Sequence, residues 1–467
     1  MRFVYFALIF AVAVSLARWE LTIGGESSEV ALDVRQTPDG GYIACGWTES
    51  FESSNRNIWV VRTDEHGDTL WTKIIGTGNY EWGTCIIPLP DGTYILGANQ
   101  RRGSANDNAW IMRLDEYGDS LWQGRFGSDD IDVIQDGELD NDGNVVFAGT
   151  ANARGGAFGD IWLIKLSIHG DSIFVRTPGS ADINNGYSVE VTRMGLYLIT
   201  GSSKPARDAP TSAYLVMTDN FGEFLWDRTY PGMSSSHGVK EFLDGRILLA
   251  GEAFHGGSAH IATMVLNSSG DPIGDVINLP IGDNSTALAC VTDGFGNIVL
   301  AGFAFFFDAR MENIIIAKLD ADGDEIWIRD YGANNTDKAH SIRRTGANSY
   351  IVAGEKAGAG RNSDFLLMKL DSLGYSPVEE AKNIPAELGL TVYPNPFNSS
   401  CRIDYTSTGD DIHIKIVDIY GRAVAYYENL TENGYIKWDA EHLRSGVYIA
   451  NLISGDKVYS KKIVLCK

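Results

Sequence analysis

Residues 33–50 and 57–76 read "DVRQTPDGGYIACGWTES" and "NIWVVRTDEHGDTLWTKIIG", and residues 82–100 and 108–127 repeat the scheme as "WGTCIIPLPDGTYILGANQ" and "NAWIMRLDEYGDSLWQGRFG". Each copy holds four apolar-rich runs. The first two are joined by an Asp-Gly pair, as at Asp39-Gly40, Asp91-Gly92, Asp142-Gly143 and Asp244-Gly245. Asp-Gly is a strong hairpin signal, because the tight turns that match strand twist need residues tolerant of positive φ. The last two runs meet at a second tight turn, Asp64-Glu65-His66-Gly67 in the first copy and Asp322-Gly323 in a later one. Each unit therefore reads as a four-stranded antiparallel meander.

The glycine ending the second run counts the units: Gly46, Gly97, Gly149, Gly201, Gly251, Gly302 and Gly354, spaced by 51, 52, 52, 50, 51 and 52 residues. A glycine closing the fourth run recurs at Gly24, Gly76, Gly127, Gly179, Gly232, Gly282 and Gly332. Seven such units predict an all-β, seven-bladed β-propeller, in which each small sheet buries both faces against its neighbours around a channel. In the fourth run an aromatic stands five residues before the glycine at Trp71, Trp122, Phe174 and Trp327; Trp226 stands six before, and the fifth unit replaces it. The seventh unit ends in "LDSLGYSPVEE" without a fourth run, whereas Trp19 lies five residues before Gly24. "RWELTIGG", residues 18–25, is thus read as the missing outer strand, closing the ring and covering an edge that would invite aggregation.

Composition agrees with many short strands: 52 glycines, 11% aromatic residues and a net charge of −23 in 467 residues. So acidic a chain without a basic stripe is unsuited to a nucleic-acid backbone. Arg2, the apolar run Phe3–Leu16 and Ser15-Leu16-Ala17 form a secretory signal over residues 1–17, cleaved after Ala17. No membrane span is expected, because no apolar run is long enough. The propeller is assigned to residues 18–374 and a Pro-, Glu- and Ala-rich linker to residues 375–389.

Residues 390–467 form a second β-rich domain carrying "VYPNPFNSS", "IKIVDIYGR" and "LRSGVYIANLISGDKVYSKKIVLCK". These motifs resemble the C-terminal sorting domain of the bacterial type IX secretion system. The resemblance rests on Pro394, Asn395 and Pro396 at the entry, Asp418 and Gly421 at a central turn, and Gly446 and Tyr448 in the closing segment. It implies a seven-stranded immunoglobulin-like sandwich, the secretion machinery as a partner, and a protein that is secreted or attached to the outer surface after passing through the periplasm. Cys401 and Cys466 fall in this domain and are open to two readings, a disulfide or two buried thiols. The first part resembles bacterial repeat propellers with "DxxGDxLW" endings, which implies a fold and no chemistry. It lacks the adjacent cysteines of quinoprotein dehydrogenases and the arginine set of sialidases.

Binding residues are expected on the long second-to-third loops and the connections between units, which share one face. Five residues after the closing glycines stand Glu29, Glu81, Asp132 and Asp337, interrupted by Asn184, His237 and Ala287. They are candidates for a ring of carboxylates at the channel mouth; the alternative, favoured by the broken symmetry, is that they cap backbone N–H groups where units join. Arg102 and Arg310, among several loop arginines, are candidates for an anionic partner, with solvated charge as the alternative. Phe306 and Trp47 are candidate contact aromatics. The aspartates of Asp140-Asn-Asp142 and Asp320-Ala-Asp322 fall at hairpin turns rather than in a calcium loop. No metal, cofactor or catalytic set is identified. The expectation is a monomeric exported module that binds an extracellular glycan or protein; the alternatives are a polysaccharide hydrolase or lyase and a structural or adhesive surface protein.

Overall fold

The computed structural model describes residues 18–376 and 388–465, apart from 52–54, 102–106, 152–158, 181, 207–208, 309, 333–335 and 358–361 in the first part and 394–396, 398, 408–411, 419–421, 431–432 and 455–456 in the second. The expected signal at 1–17, Arg102, Pro394, Asn395, Pro396, Gly421 and Cys466 lie outside the described residues. The chain divides into two compact units, 1–376 and 377–467.

Among the described residues of the first unit there are seven antiparallel sheets of four strands. The first comprises Glu29–Gln36, Tyr42–Thr48, Asn57–Thr63 and Thr69–Ile75, and the next five repeat this order along the chain. The last breaks it. Lys338–Arg344, Tyr350–Ala357 and Ser363–Leu370 are completed by Trp19–Ile23, whose Trp19 lies opposite Lys369 and whose Ile23 lies opposite Phe365. The first strand of each sheet packs on the first strand of the next, and the seventh sheet packs on the first, so the ring is closed and propeller-like.

Burial explains the residue choice along each sheet. The two middle strands, such as "YIACG" and "NIWVV", are buried on both faces and read as nearly continuous apolar runs. The outer strand "TLWTKII" is only partly covered, with Thr69, Leu70 and Thr72 exposed. Its aromatic fastens one sheet to the next: the Trp19, Trp71 and Trp122 indole N–H groups donate to the carbonyls of Glu65, Glu116 and Ile168 at 3.1, 3.1 and 3.0 Å. Each of those rings lies over the glycine of the neighbour's third turn, Gly67, Gly118 or Gly170, where a Cβ would meet it. The fifth sheet does the same with Ile277 over Gly323. The turns are held by an aspartate near their start; the Asp64 carboxylate accepts the N–H groups of His66 and Asp68, both at 2.9 Å, and Asp140 and Asp320 act alike.

Among the described residues of the second unit there are seven strands in two sheets, Leu388–Tyr393, Ser400–Ser407 and Asn433–Asp439 in one, and Ala423–Leu430, Ile412–Asp418, Gly446–Ser454 and Lys457–Leu465 in the other. Ile403 and Trp438 from the first sheet and Ile414, Ile416, Leu452 and Ile463 from the second share one core. The motif residues are structural here: Asp418 accepts the N–H and Nε–H of Arg422 at 3.0 and 2.8 Å, and buried Tyr448 donates to the Arg444 carbonyl at 2.8 Å. Gly446 pairs with Leu465, and Cys401 is buried.

Candidate functional site

The innermost strands are interrupted at equivalent points. Each of the seven carries a β-bulge, with the extra residue at Leu32, Thr84, Gln135, Tyr187, His237, Leu288 and His340. A bulge adds an unpaired residue, bends the strand and re-aims its side chain. The cause lies across the ladder. In six sheets the counting glycine within the second strand, such as Gly46 or Gly149, has the carbonyl of a bulge-side residue, here Val30 or Val133, where a Cβ would be. The backbone can fold that close only against glycine.

All seven bulge residues line one cavity on the channel axis, of about 80 Å³. Its walls are chemically unequal. The Tyr187 and His237 rings stack with centroids 4.7 Å apart and planes at 17°. His237 Nε2 shares a hydrogen bond of 3.0 Å with Ser235 Oγ, which also donates to Glu252 at 3.3 Å. Thr286 Oγ1 donates to the other Glu252 oxygen at 2.6 Å. Burial pushes the His237 pKa down, against the pull of Glu252. The serine lies between histidine and carboxylate, so the order required for nucleophilic catalysis, with histidine in the middle, is not met. His340 Nε2 faces Glu355 at 3.4 Å, and burial of Glu355 is outweighed by His340, which holds that carboxyl below its ordinary range.

Beyond the bulges, towards the tight first turns, the channel is filled by charge. Arg35 donates to both Glu138 oxygens at 2.8 and 3.2 Å and to the Gly137 carbonyl at 2.6 Å. Arg343 reaches Asp33, Asp136 and Glu138 at 3.3, 3.5 and 3.6 Å, and Lys240 pairs with Glu190. Asp33 and Asp136 also accept backbone N–H groups of the following sheet, from Ile86 at 3.1 Å and Val189 at 3.2 Å. Burial raises the Glu138 pKa, but Arg35 and Arg343 outweigh it and bring the carboxyl down to about 2. Glu190 moves the other way, pushed up by burial despite Lys240. Burial also holds the Cys290 thiol at about 12, which leaves it protonated and unreactive.

The carboxylates weighed as a candidate ring at the channel mouth do not meet there. Glu29, Glu81, Asp132 and Asp337 are buried in their own junctions, and none lines the axial cavity. Glu29 accepts the Gly25 N–H at 2.9 Å and the Thr48 hydroxyl at 2.8 Å. Glu81 accepts the Thr77 N–H at 3.2 Å, Asp132 the Ser128 N–H at 2.5 Å, and Asp337 the Ala357 N–H at 2.7 Å. A buried carboxylate must find donors, and the connection between sheets supplies them locally. Trp47 is not a free aromatic either: the Arg56 guanidinium covers its ring at 3.7 Å and pairs with Glu49. Phe306 packs against the core shared by the fifth and sixth sheets, and Phe307 takes the exposed position. Arg310 is exposed and lines a second cavity with Glu355.

Sequence reasoning missed six of the seven bulge residues and weighed His237 only as a break in the carboxylate series. A signal was present: each lies fourteen residues before its counting glycine, or thirteen for Thr84 and Gly97. The position keeps phase while its chemistry varies, unlike the turn residues.

Residues 391–466 match the secretion system C-terminal sorting domain family. No curated protein matches the chain. Among solved structures, the chain is similar to PorZ, a surface component of the type IX secretion system of Porphyromonas gingivalis, at 14% identity and a TM-score of 0.49, over 95% of this chain and 60% of that one. It is also similar to the polysaccharide lyase Uly1, at 10% identity and a TM-score of 0.45, over 75% of this chain and 90% of that one. A third is an α-L-arabinanase of Penicillium chrysogenum, at 13% identity and a TM-score of 0.42, over 76% and 98%. This chain spans 60% of the length of PorZ, and at these scores the activities are those proteins' own. The C-terminal part is a type IX sorting domain, and the chain that carries it is exported to the cell surface or the extracellular space.

Proposed function

We propose that the protein is an extracellular binding module: a seven-bladed β-propeller closed by its own N-terminal strand, brought to the periplasm by the signal at residues 1–17 and across the outer membrane by an immunoglobulin-like sorting domain. The observation that carries this reading is the ring of bulges. Positions that only build the repeat keep one chemistry from sheet to sheet, as the turn aspartates and glycines do. The bulge position instead presents tyrosine, two histidines, glutamine, threonine and two leucines to a single cavity. Its volume, about 80 Å³, suits the protruding polar end of a larger ligand lying across the mouth rather than a whole small molecule. A glycan fits this demand, with Tyr187 as an apolar face and His237, Gln135 and His340 as hydrogen-bonding partners.

Hydrolysis is disfavoured by the same geometry. Glycoside cleavage uses two carboxyls with separated pKa values on either side of the bond. Asp33 and Asp136, the carboxylates lining the cavity, are instead tied to Arg35 and Arg343. A test is to apply the full exported chain to an array of bacterial and plant polysaccharides and to assay the bound ones for new reducing ends. Binding without cleavage is expected, reduced at least about tenfold in Tyr187→Ala and His237→Ala proteins of unchanged melting temperature. New reducing ends would support the hydrolase alternative, and silence across the array the adhesive one.

A further inference from the structure

We infer that a second cavity, off the axis, binds an acidic sugar residue bearing one carboxylate among hydroxyls. The inference rests on the protein being a binding module but uses different residues from the channel. The cavity, of about 460 Å³, is lined by Ser28 from the entry to the first sheet, Arg310 from the long loop of the sixth, and Thr336, Glu355, Asn362 and Ser363 from the seventh. Its size falls in the range of ~300–1,000 Å³ that holds a small ligand. Its wall is almost wholly hydroxyl, carboxamide and charge.

Arg310 sets the ligand's charge. Its neighbours on equivalent loops are neutralised at home: Arg56 pairs with Glu49 at 3.0 Å and Arg101 with Asp107 at 2.8 Å. The Arg310 guanidinium has no carboxylate partner among the described residues. Its backbone is in the left-handed region, with φ of +53°. The corresponding loop of the fifth sheet meets the same demand with Gly256 and Gly257, at +63° and +97°. A long cationic side chain is therefore kept where glycine would fold more easily, the pattern of strain stored at a functional position.

The other charge in the wall sets a limit. Glu355 faces His340 at 3.4 Å and stays ionised, so among the described residues of its wall the Arg310 guanidinium stands with a carboxylate that His340 already engages. A singly charged carboxylate matches the planar guanidinium fork. A phosphate or a multiply sulfated group would bring further negative charge against Glu355. The hydroxyls of Ser28 and Thr336 and the Asn362 carbonyl oxygen, whose Nδ2 donates to the Glu26 carbonyl at 2.6 Å, suit the remaining hydroxyls of a sugar ring.

The experiment is calorimetric titration of the full chain with D-glucuronate, D-galacturonate and N-acetylneuraminate, each beside a neutral sugar (glucose, galactose and N-acetylmannosamine), and with acetate alone. At least one acidic sugar is expected to bind about tenfold or more tighter than both its neutral counterpart and acetate. Arg310→Gly should abolish that preference while leaving the melting temperature unchanged or higher, and Tyr187→Ala should leave it intact. Absence of binding by all three acids, equal binding of the neutral sugars or acetate, or preference retained in Arg310→Gly would overturn the proposal. So would a fall in melting temperature in Arg310→Gly, which would give Arg310 a structural reason. Loss of the preference in Tyr187→Ala would move the site to the channel and leave the binding-module reading standing.

Discussion

At Glu138 two forces compete, and their balance fixes how the ring responds to acid. Removal from water favours the neutral carboxyl, but Arg35 and Arg343 hold it ionised, with a pKa of about 2 against an ordinary 4.5. A depressed carboxyl contributes its stability above the unfolded value and loses it as pH falls through the folded one. The contribution is therefore complete above about pH 4.5 and disappears towards pH 2. In a Glu138→Gln protein the two guanidinium groups keep only Asp33 and Asp136 as shared anions, and losing the charge-assisted bonds to Glu138 is expected to cost about 1.5–3 kcal/mol at neutral pH. Thermal melting across pH should show this gap and show it narrowing below about pH 4.5; a constant gap down to pH 2 would remove Glu138 from the network.

Among the elements, the outer strand and the third turn act as a pair. Gly92 and Gly118 share nearly the same left-handed backbone, φ of +84° and +81°, but only Gly118 lies under an aromatic ring, with Trp71 2.9 Å from where a Cβ would sit. Gly92→Ala should cost only the backbone term, roughly 1–2 kcal/mol. Gly118→Ala adds displacement of Trp71 and should cost about 2–4 kcal/mol. Equal losses on chemical denaturation would mean that the ring does not fasten one sheet to the next. This pairing was legible in the sequence, because tight turns and the tryptophan before a closing glycine are local patterns with a period. The channel was legible only in part. A bulge is one extra residue inside a strand and leaves composition and alternation almost unchanged, so Tyr187 and His340 looked like any other strand residues. The carboxylates Glu29 and Asp132 stood out by their charge, yet burial turned them to the nearest N–H groups.

For the whole molecule, closure of the ring determines whether seven different side chains can share one axis. The clasp is the strand Trp19–Ile23. Arg18 pairs with Asp371 at 3.3 Å, Trp19 meets the Tyr42 ring edge-on at 5.4 Å, and the indole N–H reaches the first sheet's third turn at Glu65. Removing residues 18–25 would leave the seventh sheet with an open edge and Gly67 uncovered. The most direct test compares thermal melting and sedimentation of the intact chain and a chain lacking those residues. Without those residues the melting temperature is expected to fall by about 10 °C or more, from the loss of several kcal/mol of buried contacts, together with association through the exposed strand. An unchanged melting temperature in a chain that stays monodisperse would contradict closure by the first strand.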